Sequence, residues 1–244
     1  MLSGWLHVST ARFRAPCWSA MLYGFCCNRF INFLNLEYFS KIEGGSGMNN
    51  KYIEVRWHGR GGQGAVTAAE ILAEAAYYDG YKGVTAAPFF GAERRGAPVI
   101  ATNRFAREPV RTFSLVQKPA IVVVLDESIL RVVNVTAGIE PDGLVLINST
   151  KSPDAIKLNA PVKIAVTNAT EWATRAGLII SGAVLFNTAI LGGFARATGL
   201  IGMESIEKAL RNHFKGEAGE KNVLGARLAY EGTAVSNMGT QACA

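Results

Sequence analysis

The sequence predicts an α/β protein: a single Rossmann-like domain with a mainly parallel sheet, flanked by helices and carrying an inserted β-hairpin. Three observations carry that prediction. Strand-like and helix-like stretches alternate from Met48 to about Val235. Three short apolar runs, at residues 120–125, 144–147 and 162–166, lack polar alternation, as strands buried on both faces of a parallel sheet require. Lastly, the alternating run at residues 52–57 enters GRGGQG, residues 59–64, and then an Ala-rich helical pattern, which reads as strand, glycine turn, helix.

The chain has 244 residues, 49% of them hydrophobic and 18% charged, which describes a soluble globular protein with an ample core. Its formal charge is +6, of which residues 1–47 supply two units, and the remainder has no long basic run. That is mild attraction to anions, not a nucleic-acid footprint. Residues 1–47 look foreign to the rest of the chain: they hold Cys17, Cys26 and Cys27 and a crowd of aromatics with no sustained period. Their apolar run is interrupted by Arg29, unlike a secretory signal, and they are only weakly Ser-rich, unlike a transit peptide. A third reading places the translation start at Met48, with residues 1–47 either not translated or disordered.

In chain order, the first helix puts Ala65, Ala68, Ile71, Leu72, Ala75 and Ala76 on one side, a small-residue face suited to lying close on a sheet. Residues 82–86 come next as the second strand. Residues 87–98, APFFGAERRGAP, have no period, two glycines and two prolines, so a loop is expected. Residues 99–105 and 109–115 then read as the hairpin, across Ala106-Arg107-Glu108. The three buried strands lie beyond it, the second and third followed by polar residues, Asn148-Ser149-Thr150 and Thr167-Asn168-Ala169-Thr170, which suit carboxyl-end loops. Residues 176–195 contain no charge. Too many Gly, Ser, Asn and Thr residues interrupt them for a membrane span, so a core or interface helix is expected. Residues 203–214 form an amphipathic helix with Glu204–Lys208 and Glu207–Arg211 pairs outward. A last helix spans about residues 221–231, and residues 236–244 form a disordered tail.

Glycines 59, 61, 62 and 64 let the backbone turn tightly and leave its N–H groups uncovered, at the positive end of the following helix. The turn is an anion seat, or simply a tight βα turn. Gly59, Gly61 and Gly64 match the dinucleotide fingerprint, but its acidic residue about 20 positions on is missing, because Asp79 falls at the helix end. No cysteine occurs between Met48 and Gln241, which removes thiolate clusters and thiol catalysis from the body. His58 stands before the turn as an acid/base, a phosphate ligand or a structural group. Arg56, Arg60, Arg94 and Arg95 group around two loops, and guanidinium forks suit phosphates. Arg94-Arg95 equally suits a solvated pair or a salt bridge to a neighbouring subunit.

Taken as a pair, GRGGQGAVTAAEIL at residues 59–72 and PFFGAERRGAP at residues 88–98 resemble the gamma subunit of 2-oxoacid:ferredoxin oxidoreductases, most closely the pyruvate type. KPAIVVVLD, DGLVLINS, VKIAVTNAT and GAVLFNTAILGGFARATG support the resemblance, which covers about residues 52–235. It implies a cytoplasmic, multi-subunit enzyme that converts a 2-oxoacid and coenzyme A to acyl-coenzyme A and carbon dioxide and reduces ferredoxin. Alpha, beta and delta subunits are the implied partners, holding thiamine diphosphate, magnesium and iron–sulfur clusters, and this chain alone is expected to be inactive. To the gamma part the resemblance assigns coenzyme A engagement and assembly, placed at Gly59, Arg60, Gly61, Gly62, Gln63, Gly64, Arg94 and Arg95. It assigns no catalytic or metal-binding residue, no membrane and no nucleic acid. A purely structural subunit and a free-standing dinucleotide-binding oxidoreductase remain as alternatives.

Overall fold

The computed structural model describes residues 52–89, 96–110, 114 and 116–236. The 1–47 extension, residues 90–95 with Arg94 and Arg95, and residues 237–244 lie outside them. Strand β1, Ile53–Arg60, alternates as expected: Ile53, Val55 and Trp57 are buried against helix α1, Ala65–Tyr78. Trp57 donates from Nε1 to Asn103 Oδ1 at 2.8 Å, so its indole nitrogen is satisfied within the core. The expected small-residue face of α1 is buried throughout, from Ala65 to Ala76.

Strands β2 (Gly83–Phe89), β3 (Pro98–Ala106), β4 (Ile121–Val124), β5 (Leu144–Asn148) and β6 (Lys163–Thr167) join β1 in one sheet. With the short β9, Ala234–Val235, the order is β2-β3-β1-β4-β5-β6-β9. The block β1-β4-β5-β6 is parallel, while β2–β3 and β3–β1 pair antiparallel and β9 closes the far side antiparallel to β6. The inserted hairpin therefore exists, on other residues than the sequence suggests. β3 pairs with β2, from Gly83↔Ala106 to Phe89↔Ile100, and not with residues 109–115, of which 111–113 and 115 lie outside the described residues. The expected loop at residues 87–98 is strand at both ends. Pro88 is tolerated in β2, which ends the sheet's strand order, where a missing N–H breaks no inner ladder.

Consecutive residues of β4 and β5 enter two different cores. Ile121, Val123, Leu144 and Leu146 face the layer built by α1 and four further helices: α2 (Ala169–Arg175), α3 (Ala189–Thr198), α4 (Met203–His213) and α5 (Glu217–Glu231). Val122, Val124, Val145 and Ile147 face a smaller core roofed by 3-10 turns at Glu127–Arg131 and Pro153–Ala155 and the loops between them. The flanking α-helices thus pack into the first core, and short turns cover the second.

The expected single helix at residues 176–195 is broken. Strands β7 (Ile179–Ile180) and β8 (Ala183–Val184) form a tight hairpin across Ser181 and Gly182, whose φ values are 50° and 79°, and α3 starts only at Ala189. Two successive residues with positive φ make a primed hairpin turn, which a helical reading based on missing charge overlooks. Residues 169 and 170, expected in a loop, open α2, with Asn168 accepting from Glu171 N as its cap. Of the two outward pairs on α4, Glu207–Arg211 closes at 3.2 Å, whereas Lys208 Nζ lies over the Tyr78 ring at 4.1 Å. Asp79, which ends α1, caps α4 from outside by accepting from Gly202 N and Ser205 Oγ. Among the described residues, no helix is long and apolar enough to cross a membrane.

Candidate functional site

The chain leaves β1 towards β3 and β2 on one side and returns as β4 on the other. The carboxyl ends of β1 and β4 therefore flank a topological switch point, the place where open α/β sheets gather ligands. The glycine turn lies there. Leu125, just past β4, donates its N–H to His58 O at 2.8 Å, so the two strand ends are held side by side.

Gly62 (φ 92°) and Gly64 (φ 75°) adopt backbone conformations that side chains rarely allow, and a Cβ on Gly64 would stand 2.4 Å from Asn187 Nδ2. A Cβ on Gly59 would press Leu125 Cδ1 at 3.0 Å and Ala65 Cβ at 3.3 Å, so this glycine lets strand and helix approach. Gly61 donates to Ala97 O at 2.8 Å and accepts from Gly96 N at 3.1 Å. The turn is thereby tied to the end of the segment that carries Arg94 and Arg95. Those two arginines lie outside the described residues.

Gln63 folds back on the turn. Its backbone N–H donates to Arg60 O at 2.9 Å, and its Oε1 accepts from Arg60 N at 2.7 Å. Its Nε2 reaches Asp126 Oδ2 at 3.0 Å. The same oxygen takes Arg60 Nε at 3.1 Å, and Arg60 also donates to Ser128 Oγ at 2.8 Å and to Gly96 O at 3.1 Å. Asp126 Oδ1 accepts from Ser128 N at 2.9 Å, capping the first 3-10 turn. Partial burial alone would raise the Asp126 pKa, but the donors on Ser128 and Gln63 and the charge of Arg60 outweigh it and hold the carboxyl below its ordinary range.

What remains for a ligand is backbone. The amides of Gly62, Gly64, Ala65 and Val66 have no hydrogen-bond acceptor among the described residues, and α1 has no side-chain cap. The first backbone bond of the helix is Ala68 N to Gly64 O, at 2.9 Å. Asn187, buried one residue before the α3 cap Thr188, donates from Nδ2 to Gly64 O at 3.3 Å, so the start of α3 is pinned to that of α1. Partial positive charge from both helix ends therefore gathers at one spot.

The structure thus joins Gly59, Arg60, Gly61, Gly62, Gln63 and Gly64 at one site and moves Arg56 away from it. Arg56 donates to Val135 O at 2.9 Å, to Ala137 O at 2.6 Å and to His58 Nε2 at 3.1 Å. Burial, and then the charge of Arg56, push His58 down to about 4, so it is neutral at pH 7 and its Nε2 is taken up as the acceptor of Arg56 Nε. The residues that sequence reasoning missed are Asp126, Ser128 and Asn187. Asp126 was readable only as the polar residue ending AIVVVL, and Asn187 was hidden inside the supposed helix. An open cleft of about 450 Å³ elsewhere, at the amino edge of the sheet, is lined by Tyr52, Glu54, Arg104, Gln117, Lys118 and Glu140. Glu54 and Arg104 pair there across β1 and β3, so the cleft has no strong excess of either charge at that point.

Comparison with known proteins points the same way. Residues 54–232 match the family model described as pyruvate ferredoxin/flavodoxin oxidoreductase. Over 186 residues the chain is 54% identical to the pyruvate/ketoisovalerate oxidoreductases common subunit gamma of Pyrococcus furiosus, covering 75% of this chain and 98% of that one. Pyruvate synthase subunit PorC of Methanothermobacter thermautotrophicus is 50% identical over 179 residues, covering 73% of this chain and 94% of that one. The crystal structure of a pyruvate oxidoreductase subunit from Thermotoga maritima superposes with a TM-score of 0.66 at 36% identity, covering 77% of this chain and all of that one. The chain therefore belongs to the pyruvate ferredoxin/flavodoxin oxidoreductase family, as a gamma-type subunit of a multi-subunit 2-oxoacid oxidoreductase.

Proposed function

We propose that this subunit engages the phosphates of coenzyme A at the glycine turn while the complex converts pyruvate and coenzyme A to acetyl-coenzyme A and carbon dioxide and reduces ferredoxin. The observation that carries the reading is the set of amides at Gly62, Gly64, Ala65 and Val66 that have no acceptor among the described residues, at the positive end of a 14-residue helix and at the switch point of the sheet. Arg94 and Arg95 belong to the same proposal as forked cations, on the segment whose end, Gly96, is bonded to Gly61. Thiamine diphosphate with magnesium, the iron–sulfur clusters and the remaining chemistry belong to alpha, beta and delta partners in the cytoplasm. The role of this chain is to bind and orient, and the absence of cysteine between Met48 and Gln241 fits that division, since it leaves no thiolate there to hold a cluster. The oxoacid is recognised on those partners. A relative whose name makes it common to pyruvate and ketoisovalerate enzymes supports that division, since one gamma chain then serves two oxoacids.

A Gly62→Val variant tests this. Among the described residues nothing lies within 4 Å of a Cβ there, so the side chain crowds the amides rather than the core, at a local strain of about 1–3 kcal/mol. In the assembled complex the KM for coenzyme A should rise about tenfold or more with that for pyruvate unchanged. A second reading, a purely structural subunit, is favoured by one observation: Arg60 and Gln63 are both already committed to Asp126. If both KM values hold while the complex separates on a sizing column, that second reading replaces the first.

A further inference from the structure

The chain from Gly177 to Ala195 carries no charged residue, yet it is not all interior. Ile179 and Ile180, consecutive in β7 and so on opposite faces of the hairpin, are 49% and 63% exposed. Ala183 is also exposed. A two-stranded hairpin is marginal by itself in water. This one is extended by its own ladder bond, Leu185 N to Leu178 O, and tied to the body by Leu178 N to Ala173 O and by buried Leu178 beneath it. Isolated exposed apolar residues are ordinary, but adjacent isoleucines on both faces of an uncharged hairpin are the kind of surface that marks a contact site.

We infer that the β7–β8 hairpin is the docking surface for another subunit of the same oxidoreductase, the one that carries the reacting centre, and that it meets an uncharged apolar face of that subunit. The choice of occupant rests on the coenzyme A reading. If the seat on this chain holds phosphates while the body has no cysteine to ligate a cluster, the reacting centre lies on a partner and must come up to the rim of the seat. The hairpin is at that rim: two residues separate Val184 from Asn187, a span of at most about 11 Å, and Asn187 is bonded to Gly64. The absence of charge selects the partner's chemistry, because an ionised side chain buried against this hairpin would lose its water without gaining a counter-ion.

Co-expression of the full chain with its partner subunits, as wild type, Ile179→Asp, Ile180→Asp and a control Val132→Asp at another exposed apolar position, decides the matter. Both isoleucines are already half in water, so the lone chain should keep its melting temperature within about 2 °C. Assembly, read by size exclusion with light scattering, should weaken about thirtyfold or more for the two hairpin variants and stay unchanged for the control. Unchanged assembly of both hairpin variants overturns the inference. So does loss of a self-association of this chain with heteromeric assembly intact, which would make a second copy the occupant. Calorimetric titration of coenzyme A into the isolated chain is independent of these outcomes, so a failed seat and a failed hairpin are told apart.

Discussion

Asp126 binds the glycine turn to the strand beside it through one carboxylate oxygen shared by Gln63 and Arg60. About a quarter of each charged side chain is exposed, so water screens the pair and the Asp126→Asn variant should lose only about 1 kcal/mol at pH 7. The sign with pH comes from the lowered folded pKa. The contribution is complete above the unfolded value near 3.9 and fades as pH falls through the lower folded value. Urea denaturation should therefore separate wild type from variant at pH 7, and the gap should close as pH falls below the lowered folded value. A gap that persists in acid would mean that shape, not charge, is what the carboxylate supplies. The sequence could not disclose this contact, because its partners are 63 and 66 residues apart and Asp126 there is only the polar end of a strand.

Among the elements, those with an unbroken period were legible: β1 and α1 around the turn, the buried runs of β4, β5 and β6, and amphipathic α4 with Ile206 and Leu210 inward. The errors share a cause. Where residues 176–195 lack charge, a helix and an apolar hairpin look alike, and only Ser181-Gly182 marks the turn. Pairing was equally unreadable for β3, which could join either flanking extended run and joins β2 and β1. Gly192 and Gly193 in α3, taken from sequence as interruptions of apolarity, are contact points. A Cβ on Gly192 would fall 1.8 Å from Ala226 O of α5, so the two helices meet backbone to backbone. Gly192→Ala should force them apart at about 3 kcal/mol, against the small gain in helix propensity that alanine brings. A thermal melt checks this, and a stabilised variant would refute the close approach.

At the scale of the molecule, the two faces of the sheet are covered unequally. One face lies under five helices, while the other lies under 3-10 turns and loops between Glu127 and Val162, with a smaller core beneath. Thinly covered segments open as local units at lower free energy than the helical side. The lid of the thin side begins where Asp126 grips the turn, so each opening of that unit loosens the seat from behind. If the amides hold a ligand, its occupancy and closure of the turns that follow Asp126 should favour each other. Hydrogen–deuterium exchange should show amides across residues 127–137 slowed by saturating coenzyme A, with those of α5 unchanged. An effect confined to residues 62–66 would confine the seat to its own turn. Were exchange to show that coupling, the thinly covered face of this subunit would be its means of registering that a ligand has arrived.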